Sequence, residues 1–292
     1  YSSIIKGCEI YAASSSNAGI RIGSNYEKVE IENCRVDGNG SLQIGIEVRG
    51  FNNKIDGCKV IDTTAIGVLA LAAGAKVLNT SVFASTGRGI ELGDSSSGSQ
   101  FNFVVENCVI ENVTKGIAVY GNDTLIGNCH IRDYSEHGIY SKIPGSANST
   151  VVISDCLLKS PNTGVGIYSD ALHTKVTNCA IAHPALGGIQ IEGGGSLIQG
   201  CSIIGSLAEG IEIDTAESVS VLDNHITDPT DVAIRATNAY NLIVQGNQIM
   251  ISAGIPTPSN AIDVVGGIGA IIDKNQINGL KQAGGSAIGI HC

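Results

Sequence analysis

The sequence has no tryptophan, only 4% aromatic residues, and few basic residues. No run approaches the roughly 18 uncharged apolar residues that a membrane-spanning helix needs, so membrane insertion is not expected. Lysine and arginine total 17 against 27 acidic residues, giving a formal net charge of −10. This charge argues against broad electrostatic binding to nucleic acids. The 43% hydrophobic content is enough for a folded core and excludes a disordered chain.

Helical periodicity is also missing, and a short repeat stands in its place. A tetrapeptide of the type Gly-Ile-x-Ile recurs at intervals of 22 to 28 residues along the chain. Its copies start at Gly19, Gly45, Gly67, Gly89, Gly116, Gly138, Gly166, Gly188 and Gly210, and in weaker form at Ala233, Ala261 and Ala287. Evenly spaced copies of one motif are typical of repeat architectures.

A second motif keeps step with the first and contains most of the cysteines. Asn, Gly or Asp precedes a cysteine, and an aliphatic residue follows two positions later. We call the cysteine position the slot. It is occupied by Cys8, Cys34, Cys58, Thr80, Cys108, Cys129, Cys156, Cys179, Cys201, Asn224, Asn247 and Asn275. Small apolar thiols suit an interior stack, and amides can bond along one.

Between these motifs the chain alternates apolar and polar residues in short runs rich in valine and isoleucine, bounded by Gly, Asn, Asp and Ser. This pattern predicts β-strands and turns. A strand turn of about 22 residues cannot bury its own apolar face, so successive turns must stack in parallel. We therefore predict an all-β solenoid of about 12 turns with an internal Cys/Asn ladder. Residues 1–292 would form one domain, which we expect to be part of a longer chain with flanking domains.

The cysteines are predicted to be reduced packing residues. Neighbouring slot residues would lie near the 4.8 Å strand spacing, which is longer than the Cβ separation of a disulfide. There is no Cys-x-x-Cys pair, so no metal site is predicted. Reduced thiols indicate folding in a reducing cytoplasm. Cys292 lies outside the slot and is the one candidate for a reactive thiol.

The repeat also predicts where chemistry can occur. In Gly-Ile-x-Ile-y the aliphatic residues face the core, so x and y face outward, and stacking turns them into an x column and a y column. Between about residues 118 and 235 these columns contain Tyr120, Tyr140, Lys142, Tyr168, Asp170, Gln190, Glu192, Glu212, Asp214 and Arg235. Tyrosine rings pack on sugars, and clustered carboxylates divide into acid and base. This combination predicts a glycan site.

Two carboxylate spacings are compatible with this arrangement. Glu212 and Asp214, two apart on one strand, would be about 6 to 8 Å apart, as in inverting glycosidases. Asp214 and Glu192, one turn apart, would approach the roughly 5 Å separation of retaining enzymes. The stereochemical outcome stays open at this point.

Over the whole chain, the repeat pattern resembles that of right-handed parallel β-helix proteins of the pectate-lyase-like superfamily. It is most similar to that of bacteriophage tailspikes. The resemblance implies a polysaccharide partner, a homotrimer and extracellular action on a virion or cell surface. Tailspike hydrolases often place catalytic carboxylates on neighbouring turns, and Glu192, Glu212 and Asp214 match by position. The outward Leu69 and Leu71 would fit a subunit contact.

Three functions follow as alternatives. The first is a hydrolase of a bacterial surface glycan, with Glu212 or Glu192 as general acid, Asp214 as base or nucleophile, and Tyr120, Tyr140 and Tyr168 holding sugars. The second is a lyase, with Lys142, Arg235 or Tyr140 as base or charge neutraliser. In the lyase, Asp170, Glu192 and Asp214 would bind calcium; no cofactor is expected otherwise. The third is a non-catalytic receptor-binding or shaft segment, which the scarcity of aromatic residues favours.

Overall fold

The computed structural model describes residues 3–13, 16–94, 101–143, 149–160, 164–252, 260–279 and 288–292. The regular elements in these ranges are all β-strands. Within them no helix has the length and hydropathy that a membrane span requires. The chain forms two compact units, Tyr1–Val152 and Ile153–Cys292. The interpretation of residues 1–292 as one domain stays a prediction.

The first unit contains short strands that recur in groups of two or three per turn. In chain order they are β1 (Ser3–Lys6), β2 (Glu9–Tyr11), β3 (Ser16–Ile22), β4 (Val29–Glu32), β5 (Arg35–Asp37), β6 (Leu42–Val48), β7 (Lys54–Asp56), β8 (Lys59–Ile61), β9 (Ile66–Ala70), β10 (Lys76–Leu78), β11 (Ser81–Leu92), β12 (Phe101–Glu106), β13 (Val109–Val119), β14 (Asn122–Gly127) and β15 (His130–Ser141).

Within this unit, equivalent strands of successive turns pair in parallel. One stack runs β1-β4-β7-β10-β12-β14. A second runs β2-β5-β8-β11-β13-β15. The third, which carries the Gly-Ile-x-Ile motifs, runs β3-β6-β9-β11-β13-β15. The last three strands are long enough to belong to both the second and the third stack.

The second unit repeats this plan. Its strands are β16 (Val151–Ser154), which contains the junction, β17 (Leu157–Lys159), β18 (Val165–Ser169), β19 (Thr174–Thr177), β20 (Ala180–Ala182), β21 (Gly187–Ile191), β22 (Leu197–Gln199), β23 (Ser202–Ile204), β24 (Ile211–Asp214), β25 (Ser220–Leu222), β26 (His225–Thr227), β27 (Ile234–Tyr240), β28 (Ile243–Gln245), β29 (Gln248–Met250), β30 (Asn260–Ile268), β31 (Ile271–Asp273), β32 (Gln276–Asn278) and β33 (Ile288–His291).

Three parallel stacks again result. They are β19-β22-β25-β28-β31, β17-β20-β23-β26-β29-β32 and β18-β21-β24-β27-β30-β33. The predicted parallel β-solenoid is therefore confirmed. Because each turn buries its apolar face only by stacking on its neighbours, pairing in register repeats from turn to turn.

In the turns that carry it, the motif glycine lies at a close approach inside the coil. A β-carbon on Gly188 would lie 2.4 Å from the carbonyl oxygen of Gly210 and 2.7 Å from Cγ2 of Ile203. Gly116 would meet the same kind of obstruction, from the Gly138 carbonyl oxygen and from Ile131. The glycine therefore packs tightly against the next turn, and the isoleucines after it, Ile117 and Ile189, are fully buried.

The slot residues form the predicted ladder. Cys34, Cys58, Cys179 and Cys201 are at most 2% exposed, and all nine cysteines are free. Their thiols donate to nearby backbone carbonyls, as Cys58 does to Ile31 at 3.4 Å. A residue with positive φ precedes the slot in most turns, which explains the preference for Asn, Gly or Asp at that position.

Asparagine continues the ladder where cysteine stops. The side-chain amide of Asn224 donates to Oδ1 of Asn247 at 3.0 Å, and that of Asn247 donates to Oδ1 of Asn275 at 2.9 Å. Oδ1 of Asn224 in turn accepts from the backbone N–H of Cys201 at 2.9 Å. Burial of the Asn224 and Asn247 amides is tolerated because each has partners in the turns before and after it.

Candidate active site

Strand pairing in the second unit brings the x column together. Tyr168 pairs with Gln190, Gln190 with Glu212, Glu212 with Arg235, and Arg235 with Asp263. On β24, Ile211 and Ile213 are buried, whereas Glu212 and Asp214 are half-buried. Alternation directs the isoleucines into the core and both carboxylates outward.

The y column lies beside it. Asp214 is two residues after Glu212 on the same strand. Glu192 lies one turn earlier. Glu192 follows Ile191 and Asp214 follows Ile213, and these two isoleucines pair with each other. Glu192 is exposed and Asp214 half-buried. The hydroxyl of Tyr168 donates to Oε2 of Glu192 at 2.9 Å, so the ring of Tyr168 and the carboxylate of Glu192 are held against each other. Asp170, earlier in the y column, is half-buried.

Glu212 differs electrostatically from an ordinary surface glutamate. Burial is the main cause that raises its pKa, and the charges of Glu209, Asp214 and Glu192 raise it further. Arg235 acts in the opposite direction. A carboxyl group that resists ionisation among ionisable neighbours can hold a proton to donate.

Glu209 belongs to this cluster, although the sequence reasoning did not single it out. It is 8% exposed and lies directly before the motif glycine, Gly210. Arg235 forms ion pairs with Glu209, with Asp231 at 3.3 Å and with Asp263 at 4.0 Å. The guanidinium group expected to bind substrate is thus largely engaged by three carboxylates of its own unit.

The position before the glycine carries function-bearing residues in the first unit as well. Arg88 pairs with Lys115, and Lys115 pairs with His137, so these residues form a third outward column. Strict alternation from x and y would place this position inside. Arg88, Lys115 and His137 are half-buried instead. A charged residue beside an otherwise buried Gly-Ile pair was the signal that could have identified it.

Tyr120 and Tyr140 lie in the first unit among these cations. Their rings are edge-to-face with centroids 6.2 Å apart. The guanidinium of Arg88 lies 5.7 Å from the Tyr120 centroid, and Nζ of Lys115 lies 3.9 Å from that of Tyr140. The sequence predicted that Tyr120 faces solvent. This prediction is wrong, because Tyr120 is only 6% exposed and its ring is covered. Lys142 is exposed.

A surface pocket of about 430 Å³ adjoins this cluster, and Arg88, Lys115 and Glu136 contribute to its lining. Burial, reinforced by the charge of Lys115, lowers the pKa of His137 to about 4, and Glu136 opposes the shift. His137 is therefore neutral at neutral pH.

Glu91 is 6% exposed and forms an ion pair with Arg88 at 2.7 Å. Burial raises its pKa against the influence of Arg88.

The structure corrects one surface prediction and leaves others open. Leu69 is 7% exposed, so it does not form an exposed apolar patch with Leu71, which is half-buried. Neighbouring strands of the third stack cover it on both sides. Longer turns between the repeats would form groove walls. The turn at 37–42 is described, whereas the longer turns at 95–100, 144–148, 253–259 and 280–287 lie outside the described residues.

In the described ranges, no group of three or more His, Cys, Asp or Glu residues is arranged to hold a metal ion. Calcium binding by Asp170, Glu192 and Asp214 in the lyase alternative stays a prediction.

Solved structures with the same fold include several proteins that act on polysaccharides. The A-module of the mannuronan C-5 epimerase AlgE6 of Azotobacter vinelandii is 13% identical, with a TM-score of 0.68 over 100% of this chain and 87% of its own. A tailspike protein variant of the E. coli bacteriophage HK620, in complex with a pentasaccharide, is 11% identical, with a TM-score of 0.63 over 93% of this chain and 58% of its own.

The catalytic domain of a GH87 α-1,3-glucanase in complex with nigerose is 16% identical, with a TM-score of 0.57 over 92% of this chain and 54% of its own. At these identities the likeness shows the fold alone. Comparison with curated proteins gives no significant match. The model of the right-handed β-helix region matches residues 1–124, 44–172 and 163–292, which together span the sequence. The chain therefore belongs to the right-handed β-helix family.

Proposed function

We propose that the protein hydrolyses glycosidic bonds of a polysaccharide with the carboxylates of the second unit. The observation that carries this proposal is the raised pKa of Glu212 within a cluster that also contains Glu192 and Asp214. Glycoside hydrolysis needs one carboxyl group that is protonated and a second that is ionised, and unequal environments provide such a pair.

Glu212 is the general acid in this proposal. It is the member whose protonated form burial favours, and it stands on the outward face of β24. Asp214 is the base or the nucleophile, since it lies two residues away on the same face. Glu192 is fixed by the Tyr168 hydroxyl, which suits a role in orienting the sugar or the water.

Sugar binding at this site would use the half-buried Tyr168 and Gln190 beside the carboxylates. Tyr140 and Lys142 lie in the first unit, and sugar binding by them is a separate proposal. Arg235 would act through its ion pairs, because it holds the carboxylate of Glu209 in place near Glu212. The polysaccharide-acting proteins that share this fold support a glycan as substrate. We further propose folding in a reducing cytoplasm, extracellular action and a homotrimer, as in tailspikes.

The test is the release of reducing ends from a panel of bacterial surface glycans. The wild-type protein should release them, whereas Glu192→Gln, Glu212→Gln and Asp214→Asn should each lower the rate by about 100-fold or more. The matched control is Glu217→Gln, which changes an exposed carboxylate between β24 and β25 and should keep full activity.

Unchanged activity in the three variants would refute the assignment. Tight glycan binding by the wild type without turnover would favour the non-catalytic alternative. A product that absorbs in the ultraviolet would instead indicate elimination by a lyase.

A further inference from the structure

Two arginines at the start of the first unit share one completely buried carboxylate. Glu47 is 0% exposed, and its two oxygens accept from Nε of Arg21 and Nε of Arg49. Arg21 is its partner in the adjacent turn, and Arg49 is two residues later on the same face. The side chains of Arg21 and Arg49 are 45% and 50% exposed.

This arrangement leaves cationic groups pointing at solvent. Within the described residues, each arginine is paired only through Nε, so the terminal amino groups of both are available. Two guanidinium groups against one carboxylate leave a local charge of +1 in a protein whose net charge is −10. One cation would suffice to neutralise Glu47. The second cation therefore has no electrostatic explanation inside the protein.

The buried carboxylate also fixes where the guanidinium groups stand. An arginine held through Nε keeps its terminal nitrogens in a fixed fork, and such a fork binds planar or tetrahedral oxyanions through two parallel hydrogen bonds. Because the two arginine side chains are already ordered, binding of an anion costs little of their conformational entropy.

An aromatic ring and an apolar hollow lie next to these groups. Tyr26 is 65% exposed, and its ring carbon Cδ2 is 3.7 Å from the position that a β-carbon on Gly23 would take. A hollow of about 360 Å³ is lined by Arg21 and Tyr26 together with Ile5, Ile22 and Val29. An exposed tyrosine over a glycine offers a flat apolar face to a sugar ring.

We propose that Arg21, Arg49 and Tyr26 form a binding site for an anionic saccharide, separate from the carboxylate cluster of the second unit. The two guanidinium groups bind the charged group, which is a carboxylate, sulfate or phosphate, and Tyr26 packs on the ring that carries it. This proposal does not depend on hydrolase activity. The site would bind its ligand even if the protein hydrolysed no glycosidic bond.

Binding can be measured with a matched pair of oligosaccharides. Fluorescently labelled hexamers of β-1,4-linked mannuronate and β-1,4-linked mannose differ chiefly in the carboxylate. A sulfated hexamer tests the alternative oxyanion. At least one anionic hexamer should bind the wild-type protein ten-fold or more tightly than the mannose hexamer, and added salt should weaken this binding.

The variants then locate the site. Arg21→Gln/Arg49→Gln should reduce anionic binding at least ten-fold. The control double variant Arg35→Gln/Arg132→Gln removes the same charge from other ion pairs of this unit and should change binding less than two-fold. Tyr26→Ala should weaken binding, whereas Tyr26→Phe should not. Circular dichroism checks that each variant is folded.

Two outcomes would overturn the proposal. One is that no anionic hexamer binds the wild type better than its neutral counterpart. The other is that both double variants lose binding equally, which would indicate attraction to general surface charge. Glu212→Gln should leave this binding unchanged, so the hydrolase proposal and this one fail in distinguishable ways.

Discussion

The Tyr168 hydroxyl donates to Oε2 of Glu192 across 2.9 Å, and these two residues come from neighbouring turns 24 positions apart in sequence. The contact joins the x column to the y column. It shows how a solenoid assembles a site from residues that are far apart along the chain but one turn apart in space. A change in register by one residue would separate them, because it would move one of the two to the core face.

Glu212→Gln should stabilise the protein at neutral pH while it lowers the rate of hydrolysis by about 100-fold or more. The folded state raises the pKa of Glu212, so its contribution to stability is fully present below the pKa of the unfolded chain. That contribution is lost as the pH rises through the higher pKa of the folded state. The glutamine side chain of the Glu212→Gln variant cannot ionise, so the variant should keep this contribution to stability at neutral pH. Thermal unfolding at pH 7 and at pH 3.5 measures the difference.

At pH 7 the melting temperature of Glu212→Gln should exceed that of the wild type, and at pH 3.5 the two should converge. In the wild type, hydrolysis should fall on the alkaline side as the general acid deprotonates. A variant less stable than the wild type at pH 7 would contradict the electrostatic account of this cluster. Glu217→Gln again provides the comparison.

Gly188→Ala tests the reason for the motif glycine. Its β-carbon would lie 2.4 Å from a backbone carbonyl oxygen, which cannot move without disturbing the strand pairing. We expect a loss of about 2 kcal/mol or more in the free energy of unfolding, measured by urea denaturation.

The control for this substitution is Gly289→Ala in the same unit. A β-carbon there would meet its nearest neighbour, Cδ1 of Ile277, at an ordinary contact distance of 3.5 Å. This change should be close to neutral, because alanine restricts the unfolded chain without a clash in the folded one. Equal losses in the two variants would mean that steric approach does not explain the motif.

The repeat made the fold predictable, whereas the site was predictable only in part. The spacing of Gly-Ile-x-Ile placed Gln190 beside Glu212 correctly, because in-register stacking converts sequence interval into spatial position. Tyr120 and Leu69 were expected to be exposed, but both are buried, since outward direction does not imply exposure when neighbouring turns carry bulky side chains. Glu209 was missed because it precedes the motif glycine, outside the x and y columns, and is 8% exposed.

Asn247→Ala tests the amide ladder. Asn247 is completely buried, donates to Oδ1 of Asn275 and accepts from the side-chain amide of Asn224. Its removal leaves buried donors and acceptors of two turns without partners, at a cost of about 1–3 kcal/mol for each such group. Urea denaturation should therefore show a loss of several kcal/mol. Gln248→Ala, at the exposed next position, should lose little.

The slot cysteines should resist alkylation in the folded protein. Burial raises the pKa of Cys58 to about 11, and the hydrogen bond with Cys156 is the main cause that raises the pKa of Cys179 to about 12. At pH 8 about one Cys58 thiol in a thousand is then ionised, and the thiolate is the reactive form.

Cys292 is exposed and should react first, followed by the half-buried Cys8. Intact mass after brief iodoacetamide treatment should show one or two added groups on the native protein and nine in denaturant. A reducing agent should leave the melting temperature unchanged, since the thiols stabilise the coil by packing and not by covalent bonds. Rapid modification of Cys58 or Cys179 in the native state would show that the interior opens, and the ladder would then not be the rigid element that its burial implies.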